Sequence, residues 1–135
     1  MKIMVCHDGS ELAENALERT IELFKPQRPE IILVIVVEGP LDASMRNEEI
    51  FERWRSDRHE LLMKTAKEIA ERGLDVDAIL AVGDARKMII EAVDDKNPDI
   101  LVVARESGGL IDQMTSGSVA AFLVRHAPCP VLVYN

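Results

Sequence analysis

PDILVVARESGGLIDQMTSGSVAAFLVRHAPCPVLVYN, residues 98–135, is the stretch on which the fold is decided. It opens on an apolar run at Ile100–Ala104 and passes through a Gly/Ser-rich loop. Gly117-Ser118 then leads into a helical pattern reaching Arg125, and a second apolar run closes the chain at Val131–Tyr134. Strand, loop, helix, strand in that order is the unit of a parallel sheet. A helix that starts directly after a small-residue loop leaves unpaired N–H groups at its positive end, and such groups can hold a phosphate. The donors here would be the amides of Ser118, Val119 and Ala120, with the Ser118 hydroxyl beside them. Nucleotide binding is the question this segment raises.

Upstream, the same alternation repeats. Lys2–His7 reads as a buried strand, and positions 12, 13, 16, 17, 20, 21 and 24 fall on one face of a helix over Glu11–Leu23. Ile31–Val37 is continuously apolar, as a strand covered on both faces must be. Gly39-Pro40 breaks it. A long helix is expected over Asn47–Arg72, with Ile50, Phe51, Trp54, Leu61, Leu62, Ala66 and Ile69 as its inner stripe and Gly73 as its stop. On this reading Trp54 belongs to a core or an interface. Val76–Val82 is a third strand and Ala85–Val93 a third helix. Five strands alternating with four helices, and no linker or repeat, predict one domain over residues 1–135 with a parallel sheet and helices on both faces. Ligands of such open sheets sit beyond the carboxyl ends of the strands, where the winding reverses. The residues expected there are Cys6–Ser10, Val36–Gly39, Val82–Asp84 and Ala104–Ser118.

The bulk numbers exclude several classes. A chain of 135 residues, 47% hydrophobic and 30% charged, suits one folded domain. Its net charge of −8 argues against a nucleic-acid partner. The basic run Arg53–Arg58 is interleaved with Asp57 and flanked by Glu52 and Glu60, the pattern of a solvated helix face. No signal peptide is visible and no apolar run reaches the roughly 20 residues of a membrane span, so a cytoplasmic location and no membrane partner are expected. Cys6 and Cys129 sit in or beside strands and read as reduced core thiols.

His7-Asp8-Gly9-Ser10 joins the first strand to the first helix. Asp8 is placed to accept from a ligand, while Asp8 or Ser10 is also a candidate N-cap, Glu11 completing a D-x-x-E box in the first case. Asp84 is expected to cap the third helix, and Gly83 would allow a ligand close to the backbone. His126 suits the negative end of the last helix. His7 and His59 lack partners at metal-ligand spacing, so no metal site is expected. No nucleophile elbow, no P-loop and no serine with an evident base is present, and no catalytic residue is assigned.

The opening KIMVCHDGSELAENAL, the strand exit LVIVVEGP and the ending TSGSVAAFLVRHAPCPVLVYN together resemble the universal stress protein family over nearly the whole chain. The resemblance implies a Rossmann-like, adenine nucleotide alpha hydrolase-like sheet in strand order 3-2-1-4-5. ATP-binding members of the family carry G-x2-G-x9-G-(S/T) after the fourth strand, where this chain reads A-x2-S-x9-G-S, with Ala104 and Ser107 in place of the first two glycines and Gly108 and Gly109 just off the pattern. A side chain there is tolerated where φ is negative and costs on the order of 1 kcal/mol where positive φ is required.

By the same resemblance Asp8, with Cys6, His7 and Val36, would lie at the adenine and ribose end. Ala104, Arg105, Ser107 and Gly108 would belong to the loop over the sugar, and Gly117, Ser118 and Val119 would hold the phosphates. The function implied is a regulatory stress-response protein that binds ATP, with Mg²⁺, and hydrolyses it slowly if at all. The alternative is a dimeric stress-response protein without ligand that works through an unidentified protein partner. In the family the last strand pairs across a two-fold axis, so a homodimer through Val131, Leu132 and Val133 is expected.

Overall fold

The computed structural model describes residues 1–38, 48–105 and 119–135. In chain order the elements are β1 (Lys2–Cys6), α1 (Glu11–Phe24), β2 (Glu30–Val37), α2 (Glu48–Glu71), β3 (Val76–Val82), α3 (Ala85–Lys96), β4 (Ile100–Ala104), α4 (Val119–His126) and β5 (Val131–Tyr134). All strands are parallel, and the sheet runs β3-β2-β1-β4-β5. The chain winds outward from β1 to β3, then returns past β1 to β4 and continues to β5. The reversal lies between β1 and β4.

Strand alternation divides the core into two layers. Ile3 and Val5 of β1, with Ile31, Leu33 and Ile35 of β2, meet Leu17 and Ile21 of α1 and Leu62, Ala66 and Ile69 of α2. Met4, Ile32, Val34, Leu101 and Val103 point the other way, onto Ile89 and Val93 of α3 and Ala120 and Leu123 of α4. The continuous run Ile31–Ile35 follows from this, since every residue in it is buried on one face or the other. Each such side chain contributes roughly 1.5–3 kcal/mol of burial.

The helix starts are set by short polar side chains. Ser10, in extended conformation, accepts from the Ala13 amide at 3.1 Å and is the N-cap of α1. Asp8 instead accepts from the Ser10 amide at 2.9 Å, so the expected Asp8–Glu11 box gives way to a turn that Asp8 closes and Ser10 continues. Asp84 caps α3 as expected, accepting from Lys87 N–H at 3.2 Å. The space beside Gly83 is taken up by Met88. A Cβ there would stand 3.1 Å from the Met88 sulfur.

The long helix departs from expectation along half its length. Of the stripe read from its sequence, only Leu62, Ala66 and Ile69 are buried, together with Thr65. Ile50 is 40% exposed and Trp54 53%. The reason is length. A helix of 24 residues extends about 36 Å, whereas β2, with 8 residues, extends about 26 Å. The first turns of α2 therefore have no sheet beneath them, and they stand over the carboxyl ends of the strands.

Candidate functional site

A cleft of about 500 Å³ opens at the carboxyl ends of β1, β2 and β4, at the reversal of the winding. Its floor comes from Cys6 at the end of β1, Val34 and Val36 of β2, and Val103 and Ala104 of β4. Asp8 after β1, Glu38 after β2, Ala85 at the head of α3 and Val119, the first residue of α4, line it further. Trp54 and Arg58 of α2 complete it, with Arg58 beside the β1–α1 turn.

The β1–α1 turn is held by its own hydrogen bonds. His7 is buried; its backbone amide donates to the Val34 carbonyl at 2.9 Å. Its Nδ1 accepts from the Gly9 amide at 3.0 Å, and its Nε2 lies 2.9 Å from a Glu14 carboxylate oxygen. A ring nitrogen that accepts from an amide carries no proton, so the proton sits on Nε2 and is donated to Glu14. His7 thus lines the cleft but spends both nitrogens on the turn. Gly9 has φ +87°, and a Cβ on it would lie 3.3 Å from Arg58 Nη1 and 3.4 Å from Leu61 Cδ2. Glycine spares the turn both the strain of that φ and crowding against α2.

Asp8 is exposed at the cleft wall. Among the described residues only its Oδ1 is engaged, by Ser10. Burial pushes the Cys6 thiol from 9.0 up to about 12, with the Asp8 carboxylate and Cys129 adding to it. Cys6 is therefore a protonated thiol at neutral pH, and it is half-buried at the edge of the core, not within it, where it serves as apolar floor. Cys129 is raised as well, by its own desolvation.

Ala104 ends β4 in extended backbone and is not among the residues with positive φ. Alanine in place of glycine therefore carries no backbone cost at this first departure from the glycine pattern. Arg105 donates its amide to the Tyr134 carbonyl and does not line the cleft. Ser107, Gly108, Gly117 and Ser118 lie outside the described residues.

The structure thus brings Cys6, His7, Asp8, Val36, Ala104 and Val119 together from four separated segments of the chain. Glu38 joins them from the stretch Val36–Gly39 expected at the strand ends, and the structure adds Trp54 and Arg58, which the sequence reading did not assign to a ligand. Nothing in a helical stripe says where the sheet beneath it ends. Comparing helix length with strand length would have pointed to them. Among the described residues, no cluster of His, Cys, Asp and Glu could hold a metal ion, and no helix is long and apolar enough to cross a membrane.

The sequence profile of the universal stress protein family matches residues 1–135. A universal stress protein of Methanocaldococcus jannaschii is 29% identical over 136 residues, covering 98% of this chain and 80% of the relative. Among solved structures, a universal stress protein family protein of Arabidopsis thaliana with AMP bound superposes with TM-score 0.76 at 26% identity, covering 99% of this chain and 90% of that one. The universal stress protein UspA of Lactobacillus plantarum superposes with TM-score 0.84 at 16% identity, covering 100% of this chain and 97% of that one, a likeness of fold.

Proposed function

The chain belongs to the universal stress protein family, and from that premise we propose that it binds an adenine nucleotide in the cleft and acts as a regulatory sensor. The observation that carries this is the convergence of Asp8, Val36, Ala104 and Val119 on one cleft of about 500 Å³ at the switch point of the sheet. The AMP held by the Arabidopsis relative supports the same ligand class. The base would lie on Cys6 and Val36, which offer apolar surface. Asp8 and Glu38 would accept from ribose hydroxyls or the exocyclic amine. The phosphates would run toward the start of α4. In this reading ATP with Mg²⁺ is the physiological ligand, and turnover is slow because none of the described cleft residues is placed to activate a water.

The experiment is to denature the purified protein, identify any released nucleotide by mass spectrometry, and titrate the emptied protein with AMP, ADP and MgATP by calorimetry. Asp8→Asn keeps the acceptor for the Ser10 amide and removes the charge. It is expected to weaken binding about tenfold while leaving the fold intact. A protein that purifies empty and ignores millimolar nucleotide would overturn the reading.

A second reading is favoured by β5. It pairs with β4 alone in the described sheet, and Val131, Leu132, Val133 and Tyr134 are each only half-buried. An apolar edge of this kind calls for cover, and a second copy pairing through Val131–Val133 would supply it. Sedimentation equilibrium showing a monomer at micromolar concentration would remove it.

A further inference from the structure

We propose that Trp54 and Arg58 are ligand-contacting residues, Arg58 holding the anionic group of the ligand and Trp54 lying against its ring; the inference rests on the nucleotide reading above. Both side chains line the cleft from α2 and stand one helical turn apart, so they face it side by side. Two other arginines on or beside α2 show what occupation looks like, and both lie outside the cleft lining. Arg55 pairs with Glu52 at 3.5 Å, and Arg72 makes two bonds of 2.7 and 2.6 Å to the Glu18 carboxylate. Arg58 has no carboxylate within 4.0 Å among the described residues. Its guanidinium lies over the Gly9 turn, where Nη1 is 3.3 Å from the position a Cβ would take.

The charges of the cleft are thus left unpaired with one another. Asp8 and Glu38 offer acceptors and Arg58 offers donors, with no ion pair within 4.0 Å between them among the described residues. A ligand that satisfies both must carry hydroxyl or amine donors together with an oxyanion. A nucleoside meets only the first requirement, and a nucleotide meets both. A guanidinium is suited to the second because it presents a planar fork to phosphate oxygens. Trp54 is 53% exposed, with no aromatic partner among the described residues, and it lines the same cleft as Val36, on which the ring is placed.

The test compares adenosine with AMP, by calorimetry and by the emission of Trp54, the single tryptophan of the chain. AMP should bind about tenfold or more tightly than adenosine, and it should shift the emission. Arg58→Gln should lower AMP affinity by the same factor, leave adenosine unchanged and keep its circular dichroism, while Arg58→Lys recovers part of the loss. If AMP binds but the emission is still and Arg58→Gln binds like the parent, this inference is overturned and the nucleotide reading stands. If neither ligand binds by calorimetry, both fall.

Discussion

The two halves of α2 share one helix and one apolar periodicity, yet they do different work. From Leu62 to Ile69 the stripe is buried against β2 and β3 and belongs to the core. Ile50 and Trp54 of the same stripe are exposed instead, and Trp54 lines the cleft, with Arg58 at the junction. The difference teaches that periodicity specifies a face of a helix, while the sheet below decides how much of that face is covered. Where the sheet stops, a residue of core type becomes a residue a ligand can reach.

The sharpest way to break the comparison is to truncate each half in turn. Leu62→Ala should cost about 2–5 kcal/mol in denaturant unfolding, since it opens a cavity between α2 and the sheet. A loss under 1 kcal/mol would mean that this half is not anchored as described. Gly9→Ala tests the contact between the β1–α1 turn and the junction of the two halves. Its φ of +87° and the Arg58 and Leu61 contacts should together cost on the order of 1–2 kcal/mol, read as a lowered Tm. Trp54→Ala should be the mildest, within about 0.5 kcal/mol of the parent despite deleting the largest side chain of the helix. A loss as large as that of Leu62→Ala would place Trp54 in the core and dissolve the distinction.

Much of the fold was legible because it depends on local pattern. The five strands announced themselves as short apolar runs between turn residues, and β2, the most continuous of them, is the most completely buried. Asp84 was legible as a cap because an acidic residue after Gly83 and before an amphipathic run has few other uses. The choice between Asp8 and Ser10 was not, since both have the right chemistry and only the turn geometry separates them. Asp8, Val36 and Val119 could be assigned to one site only through the family resemblance and the rule that ligands sit beyond strand ends. Their meeting depends on the order β2-β1-β4, which no single segment encodes. Arg58 was hidden for another reason. Within Arg53–Arg58 it is one of three arginines beside a single Asp57, and its place over Gly9 follows from the pitch of α2 against a turn about fifty residues earlier in the chain.

The ring of His7 has a consequence for timing. Because it is tied to Gly9 on one side and Glu14 on the other, the floor of the cleft keeps its shape from bonds internal to the chain. Any molecule that settles there has no ordering of that turn to bring about on arrival, and its departure leaves nothing there to be rebuilt. On the nucleotide reading, that turn adds no delay of its own to arrival or release, which suits a gauge better than a trap.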